Sequence, residues 1–227
     1  DCAPLVYEVT NYDPRFHRVE MALTSSGLRG TAIAFLRPPP REQVAMADIA
    51  EVLDGEFAGQ RVLVVGGSRG LGEVAAKLLA AGGAQVKLTY FCGEEDAQRV
   101  VEDIVSAGGE AEALCWNVLL DPDPLRSELN GWVPTHVCYF ASPFIAAFGD
   151  DSRGLFAKFC DYYVSGFAST IDALGDPGSE GFRVLYPSSI FLDERPEDMI
   201  ERDMIEYVNA KRAGEALCDS LQKKHGG

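Results

Sequence analysis

The sequence predicts an α/β fold, a doubly wound parallel sheet preceded by a small N-terminal β extension, and three observations carry that reading. Val62-Leu63-Val64-Val65 is an apolar run of strand length that enters the cluster Gly66-Gly67-Ser68-Arg69-Gly70-Leu71-Gly72, followed by the helical pattern Glu73 to Ala81. From Phe57 onward, apolar strand-length runs alternate with helical stretches, which implies parallel strands joined by helices on both faces. Residues 1–55 break that alternation with three short strand patterns and no helix of comparable length between them.

The elements follow in order. Leu5 to Thr10, Arg18 to Leu23 and Thr31 to Leu36 have strand composition, and Thr24-Ser25-Ser26-Gly27 is a turn signal that predicts a hairpin. Pro38-Pro39-Pro40 ends the third strand and begins a linker. Met46 to Leu53 is predicted as a short helix. The boundary is placed near residue 55, giving 1–55 as extension and linker and 56–227 as the main domain. After the glycine cluster, Gln85 to Tyr90 is the second strand of that domain. Glu94 to Ala107 is a helix with Ala97, Val100, Val101, Ile104 and Val105 on one face, ended by Gly108-Gly109. Ala111 to Trp116 and Thr135 to Ala141 are the third and fourth strands, with a short helix after Asp121-Pro122-Asp123-Pro124. Leu155 to Leu174 is predicted as one long helix, Arg183 to Tyr186 as the fifth strand, and Met204 to Gln222 as the final helix.

Composition narrows the function. Apolar residues make up 47% of the chain, no apolar run reaches a membrane-spanning length, and no signal peptide is visible. The expected compartment is the cytoplasm. The balance of 35 Asp plus Glu against 20 Lys plus Arg disfavours nucleic acid and anionic membrane as partners. The six cysteines form no CxxC pair and are expected to be reduced, mostly buried thiols. With the three histidines isolated from one another, no metal site is expected.

A strand running into a glycine turn that opens a helix is the arrangement that cradles a dinucleotide pyrophosphate. Glycine lets backbone approach the phosphates, and the helix N-terminus offers unpaired N–H donors. Gly66-x-x-x-Gly70-x-Gly72 has the spacing found in the short-chain dehydrogenase/reductase family. Tyr207-Val208-Asn209-Ala210-Lys211 matches its YxxxK, and Ser188-Ser189 ends the fifth strand where that family keeps a serine. In this order, residues 57 to 224 resemble that family, and the resemblance implies a Rossmann-type domain. It implies Ser189, Tyr207 and Lys211 as catalytic residues, with Ser188 the alternative serine. It places the cofactor over Gly66, Ser68, Arg69, Gly70, Leu71, Gly72, Tyr90, Asn117, Val118, Ala141 and Lys211. Hydride transfer to a carbonyl needs a proton donor. A phenol with an ordinary pKa of about 10 needs a cation nearby, which Lys211 supplies one helical turn from Tyr207. The second strand ends in Thr89-Tyr90-Phe91-Cys92 without an acid, and Arg69 lies inside the glycine turn, so NADP(H) is expected over NAD(H).

The expected function is therefore NADPH-dependent reduction of a keto group, of 3-oxoacyl or polyketide-like type. Two alternatives stay open: a catalytically silent NADP-binding domain within a larger protein, and an extended-type nucleotide-sugar epimerase or dehydratase. The resemblance implies a small-molecule or acyl-thioester substrate. It also implies pairing through the helices at 155–174 and 204–222, as a homodimer or as part of a larger multidomain chain.

The chain departs from the family at several places. Asn-Asn-Ala-Gly after the fourth strand is replaced by Tyr139-Phe140-Ala141-Ser142, and the family's helix asparagine by Tyr163. The stretch from Ser189 to Tyr207 is longer than usual and acidic. Together with Glu194-Arg195-Pro196 and Ala213-Gly214-Glu215 it resembles the extended branch. No further strands follow the helix that carries Lys211, so the domain is expected to be truncated at its C-terminus. About thirty of the first 55 residues resemble the closing strands of a hot-dog domain; equally, the segment forms a β extension that packs on the core or makes an oligomer contact.

Overall fold

The computed structural model describes residues 4–14, 18–36, 41–53, 55–143, 152–174, 181–193 and 202–225. The chain divides into two compact units, Asp1–Pro40 and Arg41–Gly227.

The first unit is an antiparallel sheet of β1 (Val6–Asp13), β2 (Arg18–Ser25) and β3 (Leu28–Phe35), in that order. Ser26 and Gly27 close the predicted hairpin, with Gly27 at φ 78°. Registers Tyr7↔Leu23, Val9↔Met21 and Tyr12↔Val19 put these six residues on one face. Tyr12 joins Val9 on that face only because a bulge at Thr10 resets the two-residue alternation.

The second unit begins with α1 (Met46–Ala50). Met46 is buried in its core, so the chain enters this unit earlier than residue 55. It continues through β4 (Arg61–Val65), α2 (Gly70–Ala81), β5 (Gln85–Tyr90), α3 (Glu94–Ser106), β6 (Glu110–Cys115), α4 (Asp123–Leu129) and β7 (His136–Tyr139). All strand pairs in its sheet are parallel, and the order is β6-β5-β4-β7-β8, with β8 at Arg183–Leu185. Successive residues of β4 face opposite sides of the sheet. Val62 and Val64 join Ala76, Ala80, Val100 and Ile104 in one core, while Leu63 and Val65 join Leu125, Leu129, Phe167 and Ile171 in the other. Burial on both faces is why the sequence of β4 is apolar without alternation. The parallel α/β fold expected from the sequence is the one observed.

Two local expectations need correction. The single helix expected over 155–174 is three segments: α5 (Ser152–Cys160), a π-helical stretch (Asp161–Gly166) and α6 (Phe167–Ala173). The cause is hydrogen bonding from outside the helix. Tyr139 Oη donates to the Tyr162 carbonyl at 2.7 Å, and Tyr186 Oη to the Tyr163 carbonyl at 3.0 Å. The expectation of mostly buried cysteines fails at Cys92 and Cys115, which are exposed; Cys115 ends the edge strand β6. A 3₁₀ turn at Ile190–Leu192 leads toward α7 (Arg202–His225), and the acidic residues 194–201 between them lie outside the described residues. Among the described residues, no helix is long and apolar enough to cross a membrane.

Candidate active site

The sheet reverses its winding between β4 and β7, and an open α/β sheet leaves a crevice at such a point, beyond the C-terminal ends of its strands. The glycine turn lies there. The Gly66 amide donates to the Thr89 hydroxyl at 3.1 Å and the Gly67 amide to the Thr89 carbonyl at 3.0 Å, pinning the turn to the end of β5. Gly66 has φ 81°, and a Cβ there would stand 2.8 Å from the Ala141 nitrogen; a Cβ on Gly72 would stand 2.2 Å from the Gly66 carbonyl oxygen. Backbone therefore crosses backbone where any side chain would intrude. Gly70 and Leu71 open α2 and are exposed at its N-terminus. Ser68 is buried within the turn.

Arg69 reaches α3, where Nη2 pairs with Asp96 Oδ2 at 2.6 Å. Its Nε is buried and has no hydrogen-bond partner among the described residues. Tyr90 is half-buried at the end of β5. Asn117 Oδ1 accepts from the Leu119 amide at 3.0 Å, so the side chain is engaged in its own turn. Val118 is a core residue beside Gly166.

The second half of the site is built on α7. Tyr207 and Lys211 are one turn apart on that helix, and so face the same side. Lys211 Nζ donates to the Pro187 carbonyl at 2.9 Å, and Arg212 Nη2 to the Leu192 carbonyl at 3.0 Å. Adjacent residues of α7 thus grip both ends of the segment that carries Ser188 and Ser189. Ser189 caps the 3₁₀ turn, its Oγ accepting from the Phe191 amide at 3.4 Å, which leaves the hydroxyl proton to donate elsewhere. Ser188 is exposed.

Aromatic side chains surround the lysine. Its Nζ lies 4.2 Å from the Tyr163 ring centre and 4.9 Å from that of Tyr186. Burial lowers the Lys211 ammonium to about 8, with Glu215 and Cys218 pulling it back up. The Tyr207 ring meets Tyr163 edge-on at 5.7 Å and Phe159 at 5.6 Å. Ser142 Oγ donates to the Pro143 carbonyl at 3.1 Å, so in its 2.8 Å contact with Tyr163 Oη the tyrosine is the donor. Burial pushes the Tyr163 phenol up to about 12.

Of the residues singled out from sequence, Gly66, Ser68, Arg69, Gly72 and Ala141 gather around the glycine turn. Tyr207, Lys211 and the segment of Ser189 gather around α7. Asn117 and Val118 are committed to a local turn and to the core. Sequence reasoning missed Asp96, Ser142, Tyr186 and the Pro187 carbonyl. Asp96 left a faint signal as one of three acids in the first turn of α3; Tyr186 left none, since its partners are remote in the chain.

No family model matches the chain. A Bacillus subtilis protein described as a short-chain dehydrogenase/reductase homolog is 36% identical over 74 residues, covering 33% of this chain and 67% of that protein. A 3-oxoacyl-[acyl-carrier-protein] reductase of Synechocystis is 44% identical over 62 residues, covering 27% of this chain and 25% of its own length. The chain spans about a quarter of the length of the other curated relatives it matches. Among solved structures, a short-chain dehydrogenase from Burkholderia cenocepacia in complex with NADP aligns with a TM-score of 0.64 at 28% identity. That alignment covers 75% of this chain and 70% of the other.

Proposed function

Because the chain belongs to the short-chain dehydrogenase/reductase family, we propose that it is an NADPH-dependent reductase of a keto group, with a 3-oxoacyl or polyketide-like substrate. The observation that carries the reading is the grip of α7 on the 187–192 segment, which joins Tyr207, Lys211 and Ser189 in one neighbourhood. The glycine turn fits a dinucleotide: Gly66 and Gly72 let the turn fold tightly against Ala141 and on itself, and Gly70 opens the N-terminus of α2 with open space where a Cβ would stand. Gly66, Ser68, Gly70, Leu71 and Gly72 would hold the pyrophosphate, Arg69 the 2′-phosphate, and Tyr90 and Ala141 the remainder, the Asn117 and Val118 side chains being engaged in a local turn and in the core. The bound cofactor supplies a hydride to the carbonyl carbon.

The chain's own residues do the rest. Ser189 donates a hydrogen bond to the carbonyl oxygen, where negative charge develops. Tyr207 gives that oxygen its proton as general acid. Lys211 supplies the positive charge that brings the phenol toward working pH. Arg69 favours NADP(H) over NAD(H), and the NADP complex of the Burkholderia relative supports the same choice. The Synechocystis relative supports an acyl-thioester ketone.

The test is turnover of 3-oxoacyl thioesters with NADPH by the wild-type chain and by Tyr207→Phe. The variant is expected to lose turnover while NADPH still quenches tryptophan fluorescence. Full activity in the variant overturns the assignment of Tyr207. A second reading, a silent NADP-binding domain, is favoured by one observation: Tyr163 stands where the family keeps an asparagine, its ring lying over Lys211 Nζ and its hydroxyl engaged with Ser142. NADPH binding with no ketone reduced would select it.

A further inference from the structure

Lys211 is the most buried cation on α7 among the described residues, and its surroundings are unusual for a charge. No carboxylate ion pair to Nζ exists among the described residues; the only polar partner found there is the Pro187 carbonyl. A lysine ammonium has three N–H donors. One is taken by that carbonyl, and the remaining directions open onto the faces of Tyr163 and Tyr186, at 4.2 and 4.9 Å. Both distances fall within the range in which a ring's negative face attracts a cation.

The Tyr163 ring is fixed on every side. It stacks on Phe159 at 5.9 Å with 13° between planes, and its hydroxyl donates to Ser142. Its own carbonyl accepts from Tyr186, which is the second wall of the same box. The π-helical stretch makes this possible, since an extra residue in the turn rotates the succeeding side chains relative to those of an unbroken helix. Gly214 leaves the room: a Cβ there would stand 2.1 Å from Tyr186 Oη and 2.9 Å from the Tyr163 carbonyl oxygen.

We propose that Tyr163, together with Tyr186, is a positioning residue that seats the Lys211 ammonium on its ring face beside Tyr207. The proposal rests on the reading of Tyr207 and Lys211 as proton donor and supporting cation. In it, an aromatic face does the work of keeping a buried lysine charged. The groups facing Lys211 are Tyr207, Glu215 and Cys218 on α7, Tyr163 on the π-helical stretch, and Tyr186 after β8. Of these, Glu215 and Cys218 already favour the charged form through space, while burial opposes it. The rings add short-range attraction to the same side of that balance.

The experiment titrates Lys211 directly, by NMR of lysine labelled at the ε-carbon in the full chain, with the signal assigned by its loss in Lys211→Arg. Replacing Tyr163 by phenylalanines of increasing fluorination weakens the ring face without changing its shape, so the fold is preserved. The Lys211 pKa is expected to fall stepwise along the series, by about half a unit to one and a half units in all. Tyr163→Phe, which keeps the ring and loses only the bond to Ser142, is expected to titrate like the wild type. Tyr163→Leu is expected to fall as far as the most fluorinated variant. A series with constant pKa overturns the proposal, whether or not the protein turns over. Absence of ketone reduction in the wild type defeats the reductase reading alone, because the titration is read without substrate. Where turnover is measured, the alkaline limb of kcat/KM moves with the titration.

Discussion

Lys211 retains 7% of its surface, and burial holds its ammonium near 8 against an ordinary 10.5. The folded pKa is thus below the unfolded one. Between about 8 and 10.5 the unfolded chain binds more protons, so this group's contribution to stability rises with pH across that window. Below 8 the cost of burying the charge is fully present. Lys211→Met is therefore expected to raise the melting temperature at pH 7, with the advantage over wild type shrinking from pH 8 to 10.5; thermal unfolding across pH measures it. Under the proposed mechanism the same substitution removes the cation that supports Tyr207, so stability and turnover should move in opposite directions. Arg69 is poised differently. Its pairing with Asp96 holds the guanidinium at the turn, with Nε unpartnered among the described residues. Arg69→Ser is expected to weaken NADPH binding by about 10- to 100-fold, the size of a charge-assisted hydrogen bond, while leaving NADH binding nearly unchanged. Fluorescence titration with both cofactors checks it. Arg69 was legible in the sequence because it lies inside a contiguous motif. Asp96 was not, because it reaches the motif from another helix.

At the scale of elements, the π-helical stretch is where sequence reasoning and structure part. The apolar rhythm over 155–174 is that of a helix, and a helix forms, but its turns at 161–166 are widened. The hydroxyls of Tyr139 and Tyr186 bond carbonyls that would otherwise belong to the helix's own ladder. Small residues at the crossing keep the geometry open, Gly166 beside Tyr139 and Gly214 beside Tyr186. Gly214→Ala is expected to destabilise the protein by about 1–3 kcal/mol, as overpacking of a filled core does. It should also displace Tyr186 from Lys211. Urea unfolding measures the first, and a loss of turnover exceeding any loss of NADPH binding measures the second. Helix α7, by contrast, was legible along most of its length. The Tyr207 and Lys211 pair follows from residue spacing alone.

At the scale of the whole second unit, β4 is the axis, with a separate apolar core on each side of the sheet. Besides Lys211, a second buried charged group lies in this unit. Glu73 is fully buried on α2, pairing with Lys77 at 3.0 Å and Arg99 at 3.2 Å, while Lys77 pairs with Asp103 of α3 at 2.8 Å. Lys77 Nζ also donates to the Val44 carbonyl, and the Met46 amide to Asp103, so the cluster ties the segment leading into α1 to α2 and α3. Removing Lys77 takes away the buried counter-charge of Glu73 and leaves it only the more exposed Arg99. Lys77→Met is expected to cost about 3–5 kcal/mol in urea unfolding, far more than a surface pair would. The sequence by itself determined the parallel α/β fold, the glycine turn at β4 and the spacing of Tyr207 and Lys211, because each follows from periodicity or from contiguous residues. Only the tertiary structure decided the aromatic seat of Lys211, the widened helix and the Arg69–Asp96 pair. Their partners are far apart in sequence, and the strand order β6-β5-β4-β7-β8 and the helices packed on that sheet bring them together.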